Sequence, residues 1–335
     1  MGIHNLTKII KKYYRPIEHP LSFYRTKKMA FDASLLTYQY LIAIRSDGAQ
    51  LAYNSTSTSH ISGFFYKIIN LAEIGIKPLF VFDGKPPQVK SEEIARRNER
   101  RKNAAEKYSE AEEQMDKVEM EKYDKRKLKI GKEHTDEIKL LLDAMGVTYT
   151  ISENEAEAFC ATLCRKGIVD YVCTEDMDAL CFRAPVLLKN FVKDTVAEYR
   201  LDEILRDMKL EFSAFMDLCI LLGCDYAGTI KGIGPMKAET LIRRHGNIEN
   251  IVKELDITDY EYEKARETFL SMKNNVDVGF VGIDWQKYDR SRVFEFLKEK
   301  NFDERRINNG LDRYEKCRNK REQSRLSDMF KKRAK

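Results

Sequence analysis

Five short apolar runs, separated by longer stretches with helical spacing of apolar residues, organise the first two thirds of the chain. The runs cover residues 28–31, 78–82, 147–151, 171–174 and 185–188. Their length and composition favour buried strands. Strands joined by long helical crossovers are typical of a mostly parallel, twisted sheet with helices on both faces. The pattern therefore predicts an α/β fold.

Acidic residues follow four of these runs directly. In chain order they are Asp32; Asp83; Glu153, Glu155 and Glu157; and Glu175, Asp176 and Asp178. One such residue alone could be a helix cap, but the carboxyl ends of parallel strands share the edge where ligands bind. One acidic pocket is predicted. Crowded carboxylates repel one another, and oxygen ligands without nearby histidine favour Mg²⁺ or Mn²⁺ over Zn²⁺.

The segment between Lys90 and Glu133 has a different character. More than half of its residues are charged, the two signs alternate closely, and no proline or glycine occurs from Gln88 to Ile130. This pattern predicts helices with little apolar face. A solvated helical hairpin would explain it. Because the segment begins just after Asp83, a helical arch over a nucleic acid strand is the functional interpretation.

From about Glu211 the pattern is helical and includes a glycine-rich turn, GIGP at 232–235. A helix is predicted to follow it, although an ordinary helix-start turn would look the same. Free backbone N–H groups at a helix N-terminus favour phosphate, and glycines let a DNA backbone approach closely. The basic residues near this turn are Lys231, Lys237, Arg243 and Arg244.

Composition changes this picture little. The 335 residues are 43% hydrophobic and 34% charged with a net charge of +5, so a large core can form and the two signs of charge must be segregated. The longest apolar stretches are too short to span a bilayer and no secretory leader is recognisable, so no membrane association is expected. Seven cysteines without zinc-site spacing indicate reduced thiols in a reducing compartment.

The last residues, 319–335, are polar and basic and are predicted to be a flexible tail. One amphipathic feature lies within it, QSRLSDMF. Helical spacing would place Leu326, Met329 and Phe330 on one side of a single turn.

Seven segments carry a resemblance to a known family. In chain order they are MGIHNLTKII, MAFDAS, TSHISGFFYK, GIKPLFVFDGKPPQVKSEEIARRNERR, ENEAEAFCATLCRKGIVDYVCTEDMDAL, LCILLGCDY and IKGIGP. With this order and spacing the whole chain resembles the flap endonucleases, of eukaryotic rather than archaeal type. The resemblance implies a structure-specific nuclease that cuts 5′ flaps near the junction of single strand and duplex. A 5′–3′ exonuclease activity, and roles in Okazaki fragment maturation and base excision repair, are implied as well.

The resemblance also implies the site residues. Two Mg²⁺ ions, replaceable by Mn²⁺, would be held by Asp32, Asp83, Glu155, Glu157, Asp176, Asp178 and Asp225. The first four would hold one ion and the last three the other. Glu153 and Glu175 do not belong to this set, and Asp225 was not found from the strand ends. The implied catalytic residues are Lys90, Arg97 and Tyr38. Those implied in DNA binding are Gly2, Lys67, Arg97, Lys231, Gly232, Gly234 and Lys237.

The implied architecture is one nuclease domain over residues 1–318 with a helical arch and a helix–two-turn–helix element. Its predicted regions are 1–89 (N-terminal nuclease region), 90–133 (arch), 134–210 (second acidic region) and 211–318 (helix–two-turn–helix and C-terminal helices). A monovalent cation at the helix–two-turn–helix element is also expected.

The implied partners are DNA with a 5′ flap or nick and a sliding clamp. The clamp would be bound through Gln323, Leu326, Met329 and Phe330. A monomer is expected, located in the nucleus, with the nucleolus or mitochondrion as further locations. Two departures from the family stand out: Asn70 replaces a basic residue and Met329 replaces an aromatic one.

Three alternatives compete with this interpretation. Another 5′ nuclease of the same superfamily is disfavoured by the arch length, the compact size and the tail. A non-catalytic, clamp-tethered binder of DNA structure would have no reason to keep seven carboxylates facing phosphate. A phosphatase of the haloacid dehalogenase type would need Asp-x-Asp after its first strand, where this chain has Asp32, Ala33 and Ser34.

Overall fold

The computed structural model describes residues 2–46, 49–50, 52–53, 56–191, 195–272 and 283–318. The predicted clamp-binding residues Gln323, Leu326, Met329 and Phe330 lie outside these ranges, so the tail stays a prediction. In the described ranges no helix combines the length and the apolar character needed to cross a membrane.

A seven-stranded sheet forms the centre of the molecule, with strand order β1-β11-β10-β9-β2-β7-β8. Its strands are β1 (Ile17–Pro20), β2 (Lys28–Asp32), β7 (Lys77–Phe82), β8 (Tyr149–Ile151), β9 (Tyr171–Cys173), β10 (Val186–Lys189) and β11 (Thr195–Arg200). Strands β10, β9, β2, β7 and β8 run parallel, and β11 and β1 continue the sheet antiparallel. The short strands of two further hairpins are β3 (Arg45–Ser46), β4 (Ala49–Gln50), β5 (Ala52–Tyr53) and β6 (Thr56–Ser57).

Helices cover both faces of the sheet. They are α1 (Leu6–Ile10), α2 (Ala33–Ala43), α3 (Ser59–Ile74), α4 (Ser91–Glu113), α5 (Lys117–Lys127), α6 (Lys132–Met145), α7 (Ala156–Arg165), α8 (Asp178–Cys181), α9 (Leu201–Met208), α10 (Phe212–Leu221), α11 (Pro235–His245), α12 (Ile248–Glu254), α13 (Tyr262–Ser271), α14 (Arg290–Glu299) and α15 (Glu304–Arg318). Helices α1 and α7–α13 contribute to the core on one face, and α3, α6, α14 and α15 to the core on the other.

The buried strands are apolar on both sides because each face meets a core. In β2, Ala30 belongs to one core cluster, whereas Met29 and Phe31 belong to the other. This explains why the strands appear in the sequence as continuous apolar runs rather than as alternating ones. The predicted α/β fold with a mostly parallel sheet is confirmed.

All five predicted strands exist, with ends shifted by one or two residues. The apolar pattern did not predict β1 and β11, which carry polar residues. Glu198 of β11 is fully buried, and the hydroxyl of Tyr24 donates to its Oε2 over 3.0 Å. A buried, hydrogen-bonded carboxylate breaks the apolar pattern on which strand prediction depends.

The connections reverse direction at β2. The chain continues from β2 to β7 and β8 on one side, and then crosses to β9 and β10 on the other. A crevice forms outside the carboxyl ends of the strands at such a switch point, and it is where open α/β sheets bind ligands.

Candidate active site

Seven acidic residues reach this crevice from several elements. Asp32 is the last residue of β2, and Asp83 follows β7 directly. Glu155 precedes α7 and Glu157 lies in its first turn. The others follow β9 or α10: Asp176 and Asp178 after the strand, and Asp225 beyond the helix. Strand ends and helix starts thus converge on one acidic centre.

Four of these carboxyl groups, those of Asp32, Glu155, Glu157 and Asp178, are held in an environment that opposes ionisation and raises their pKa values. Burial, followed by the negative charge of Asp83, raises the pKa of Asp32 from 3.8 to about 8. Burial and then Asp32 raise the pKa of Glu157 well above its usual range, and burial and then Asp176 do the same for Asp178. Buried groups that repel one another in this way are stabilised by a bound cation.

Two basic residues from the root of the arch lie at the other side of this centre. The ammonium of Lys90 is 2.5 Å from Glu155 Oε1 and 3.0 Å from Asp225 Oδ2. The guanidinium Nη2 of Arg97 lies 2.7 and 2.6 Å from the two carboxylate oxygens of Asp225. Burial alone would lower the pKa of Lys90, but its two carboxylate partners raise it. Both cations are therefore held charged at the acidic centre.

Several carboxylates also accept hydrogen bonds from the surrounding protein. The backbone N–H of Ala156 donates to Asp83 over 2.9 Å, and that of Ile3 donates to Asp178 over 2.7 Å. The hydroxyl of Tyr226 donates to Glu155 over 2.6 Å. In the described residues no three acidic, histidine or cysteine side chains stand as a ready-made ligand group for one ion.

The donor set nevertheless fits a divalent metal. It consists of hard carboxylate oxygens, and four of the carboxyl groups that carry them have raised pKa values. Such oxygens are the ligands that Mg²⁺ and Mn²⁺ prefer. Binding an ion requires only that side chains exchange protein donors for the metal, since the backbone already brings the carboxylates to one place.

A cleft of about 500 Å³ joins the acidic centre to the arch. Its lining includes Asp32, Asp83, Glu157, Asp176 and Asp225, together with Tyr38, Lys90 and Arg97. Arg96, Arg100, Arg101 and Arg126 line it as well. One side of the cleft is therefore acidic and the other strongly basic. This arrangement can hold metal ions and a phosphate group side by side.

Gly2 packs directly against the acidic centre. Its φ is +81°, and a Cβ built on it would lie 1.9 Å from Asp176 Oδ1. Only glycine fits there, because a side chain would clash with a candidate metal ligand and strain the backbone. Gly2 thus shapes the cleft that it lines, and its predicted contact with DNA stays a prediction.

The glycine-rich turn before α11 presents an open surface. Gly234 precedes the helix, Gly232 has a φ of +82°, and added Cβ atoms at these two glycines would meet nothing within 4 Å. Lys231 and Lys237 are exposed beside it. The structure thus provides the open, basic helix start that the sequence predicted. Arg243 differs: it pairs with Glu239 over 3.2 Å and stacks on the Tyr13 ring, so it fixes α11 to the N-terminal region.

Lys67 does not occupy the exposed position expected of a DNA-backbone contact. Its ammonium packs over the rings of Phe191 and Phe31, 4.5 and 5.5 Å from their centroids. Burial lowers its pKa to about 8. The predicted contact of Lys67 with DNA stays a prediction, and its ammonium lies beside these two rings at the wall of a cavity. Close to Asn70, the exposed charge comes from Arg313, whose Nη2 lies 3.2 Å from Asn70 Oδ1.

The sequence did not predict how many arginines line the basic side of the cleft. This basic wall consists of Arg96, Arg97, Arg100, Arg101 and Arg126. Arg96 and Arg100, like Arg97 and Arg101, are four residues apart, and this spacing places side chains on the same face of a helix. That spacing was the signal from which the basic wall could have been predicted. Tyr226 had no such signal, because its role depends on how the segment after α10 packs against α7.

The fold and this site together define a class of protein. A parallel sheet with a carboxylate cluster at its switch point, covered by a basic helical arch, is suited to metal-dependent cleavage of nucleic acid phosphodiesters. The comparisons agree. Residues 1–104 match the XPG N-terminal domain and residues 146–225 match the XPG I-region.

Relatives and solved structures narrow the class further. Flap endonuclease 1 of Encephalitozoon cuniculi (strain GB-M1) is 46% identical over 337 residues, covering 97% of this chain and 98% of that protein. Flap endonuclease 1 of Xiphophorus maculatus is 43% identical over 345 residues, covering 98% and 90%. The structure of flap endonuclease-1 from Methanococcus jannaschii is 29% identical with a TM-score of 0.71, covering 90% and 96%. The catalytic core of Rad2 in complex with DNA substrate is 28% identical with a TM-score of 0.70, covering 93% and 100%.

The chain belongs to the flap endonuclease family. It is a structure-specific 5′ flap nuclease, and nucleases of this family are metal-dependent. The predicted recognition and general function are confirmed, whereas the roles of individual site residues stay predictions.

Proposed function

We propose that the protein cuts 5′ flaps by hydrolysis that depends on two Mg²⁺ ions at the acidic centre. Asp32, Asp83, Glu155 and Glu157 would hold one ion, and Asp176, Asp178 and Asp225 the other. When bound, the ions supply an activated water and stabilise the charge of the leaving oxygen. The observation that carries the proposal is the set of buried carboxyl groups with raised pKa values beside paired Lys90 and Arg97.

The basic residues act on the scissile phosphate in this proposal. Lys90 and Arg97 exchange their carboxylate partners for phosphate oxygens, and their fixed positive charge then offsets the charge that develops during cleavage. Tyr38 lines the same cleft and offers its ring for stacking on an unpaired base. The element at Lys231–Lys237 holds the duplex by its phosphates and reads no sequence.

A metal-titration assay on a 5′-flap oligonucleotide tests this directly. We expect cleavage near the flap base with Mg²⁺ or with Mn²⁺ in its place, and none with a chelator. A nicked duplex should be cut more slowly than the flap if the arch selects a free single strand. Undiminished cleavage in the presence of chelator would refute the metal mechanism, and binding without cleavage under every metal would favour the non-catalytic binder.

The biological setting is part of the same proposal. A 5′ flap nuclease suits Okazaki fragment maturation and base excision repair, with a 5′–3′ exonuclease activity on nicks. The basic KKRAK ending suits a nuclear protein, with nucleolar or mitochondrial pools as further locations, and a monomer suffices for the chemistry. The open turn at Gly232 and Gly234 is also the proposed place for a monovalent cation.

The tail is proposed to bind a sliding clamp as one helical turn, with Gln323 forming hydrogen bonds and Leu326, Met329 and Phe330 filling an apolar pocket. Met329 lacks a ring, so it gives up aromatic contact worth roughly 0.5–1.5 kcal/mol. Met329→Phe should therefore bind about threefold to tenfold more tightly, since 1.4 kcal/mol corresponds to about tenfold.

The measurement is calorimetric titration of the 319–335 peptide against the cognate clamp, with Phe330→Ala as the matched loss-of-contact control. If the parent peptide does not bind, or if Phe330→Ala binds equally well, the clamp is not a partner of this tail. KKRAK would then be explained better as a nuclear-targeting segment alone.

A further inference from the structure

A buried carboxylate lies outside the acidic centre, on the helix that follows the glycine-rich turn. Glu239 of α11 is only 4% exposed. Its Oε2 lies 2.9 Å from the ammonium of Lys12, and its Oε1 accepts hydrogen bonds from the Tyr13 hydroxyl and, over 3.2 Å, from Nη2 of Arg243. Burial alone would raise the pKa of Glu239, but these donors lower it below its usual value. The carboxylate is therefore held in its charged form by donors from two separate parts of the chain.

The residues around this carboxylate form a connected cluster, which we call the brace: Lys12, Tyr13, Glu239 and Arg243. The guanidinium of Arg243 stacks on the ring of Tyr13, 4.7 Å from its centroid, and its Nη1 donates to the Met208 carbonyl oxygen over 3.0 Å. Lys12 also contacts the sulfur of Met236, the second residue of α11. A desolvated carboxylate with several donors is held more firmly than a surface ion pair. The brace thus ties the residues after α1 to one face of α11.

The other end of the same N-terminal segment lies at the acidic centre. The backbone N–H of Ile3 donates to Asp178 over 2.7 Å, and that of His4 donates to the Gly223 carbonyl oxygen over 3.0 Å. Between the two ends, three fully buried side chains hold α1 in the core: Leu6, Ile9 and Ile10. Residues 3–13 therefore form one firmly packed connection from a candidate metal ligand to the helix at the glycine-rich turn.

A nuclease that reads no sequence sets its cut position by distance. The proposed function places the scissile phosphate at the acidic centre and a duplex phosphate at the glycine-rich turn. Consecutive phosphates of one strand are about 3.4 Å apart along the duplex axis. Displacing the start of α11 by a fraction of this spacing would bring the neighbouring phosphate into competition for the metal site. The separation of the acidic centre and the turn must therefore be fixed to better than one nucleotide.

We propose that the brace fixes the distance between the acidic centre and the glycine-rich turn, and so selects the phosphodiester that is cut. The inference rests on the proposed function, because it needs a duplex held at the turn and a strand cut at the centre. The four residues of the brace act through α11, as positioning residues. Without the brace, the start of α11 shifts more freely relative to α1. Phosphates on either side of the usual one then come within reach of the carboxylates.

The test is the product distribution of a 5′-flap duplex labelled at its 5′ end, resolved to single nucleotides after single-turnover cleavage with Mg²⁺. In the double variant Lys12→Met, Tyr13→Phe, products cut one nucleotide from the main position should increase at least about threefold over wild type, because two hydrogen bonds to a charged group are lost. The ratio of products within one reaction depends neither on affinity nor on the fraction of active protein. Tyr13 is 40% exposed and the Lys12 side chain 35%, so the core stays closed.

Two single variants and one measurement without substrate separate the brace from an effect of charge alone. Lys11→Met removes the exposed neighbouring lysine, whereas Glu239 takes its described donors from Lys12, Tyr13 and Arg243. It should keep the wild-type product distribution. Lys12→Arg retains a charged donor and should keep it as well. In protein without metal or DNA, the amides of α11 should exchange faster in the double variant than in wild type, because contacts that hold the helix are lost.

Failure of this inference is distinct from failure of the nuclease mechanism. If wild type and the double variant cut at the same position with the same spread, the brace does not select the cut, whatever the rates. The same conclusion follows if Lys11→Met spreads the products equally, or if amide exchange of α11 is unchanged in the double variant. A wild-type protein that cuts no flap would overturn the proposed function, and with it the role of the brace.

Discussion

Replacing Asp176 with alanine is expected to lower the single-turnover rate of flap cleavage by on the order of 10³-fold or more, because a metal ligand is lost. Asp83→Ala should behave alike. Affinity for the flap should hold or increase, since removing a carboxylate near phosphate reduces repulsion. Rate and affinity are measured separately, by rapid-quench kinetics with Mg²⁺ and by fluorescence anisotropy in chelator.

The matched control is Glu153→Ala. Glu153 also follows a sheet strand, but its side chain is exposed and the cleft lining does not include it. We expect its cleavage rate to stay within about twofold of wild type, as for most surface substitutions. Near-wild-type cleavage by Asp176→Ala would show that the metal assignment is wrong, and a large loss in Glu153→Ala would show that any strand-end carboxylate matters.

A stability measurement adds a second test of the same variant. The folded-state pKa of Asp32, about 8, lies above its ordinary 3.8, so the folded protein binds this proton more tightly than the unfolded chain does. Its contribution to stability is then complete at low pH and is lost as pH rises through about 4 to 8. Asp176 is among the charges that raise this pKa. In metal-free protein, Asp176→Ala should therefore unfold at a higher temperature than wild type. The increase in melting temperature should be larger at pH 8 than at pH 5.

The strand-end pattern predicted most of the site because geometry at a sheet edge is local. Asp32 and Asp83 end or follow parallel neighbours, so knowing the strands was enough to bring them together. Asp225 follows a helix, and only the family resemblance could place it at the same centre. Glu175 shows that a position after a strand is not sufficient to predict a site residue. It also follows a strand, but its side chain accepts a hydrogen bond from the Asn190 backbone N–H.

The burial of individual side chains, and the way in which the helices pack over the cleft, could not be predicted in the same way. A lysine in a sequence shows that a charge exists, and it gives no sign that the ammonium of Lys67 packs between Phe31 and Phe191. The basic wall at Arg100 and Arg126 depends on how the two arch helices fold back over the cleft. Such positions are set by contacts between elements far apart in the chain, whereas periodicity reports only on a residue's own element.

Arg97→Ala is expected to slow the chemical step by about 10²-fold, while affinity for the flap falls by no more than about threefold. The reason is position: Arg97 lies at the acidic centre with both carboxylate oxygens of Asp225 as partners, so its charge acts on the reacting phosphate rather than on the distant duplex. Loss of one preorganised charge contact typically costs about 10²-fold in rate. Arg97→Lys should recover only part of this, because an ammonium cannot reproduce the planar guanidinium fork.

Arg96→Ala provides the neighbouring control on the same helix. The Arg96 side chain is 52% exposed and its Nε lies 3.4 Å from Glu93, so it can attract DNA without reaching Asp225. Its loss should weaken binding modestly, in a way that disappears at high salt, and should leave the single-turnover rate at saturation unchanged. If Arg97→Ala instead lost rate and affinity equally and showed the same salt dependence, Arg97 would be a steering residue like its neighbour. The chemistry would then rest on Lys90 and the carboxylates, because Lys90 also contacts Asp225.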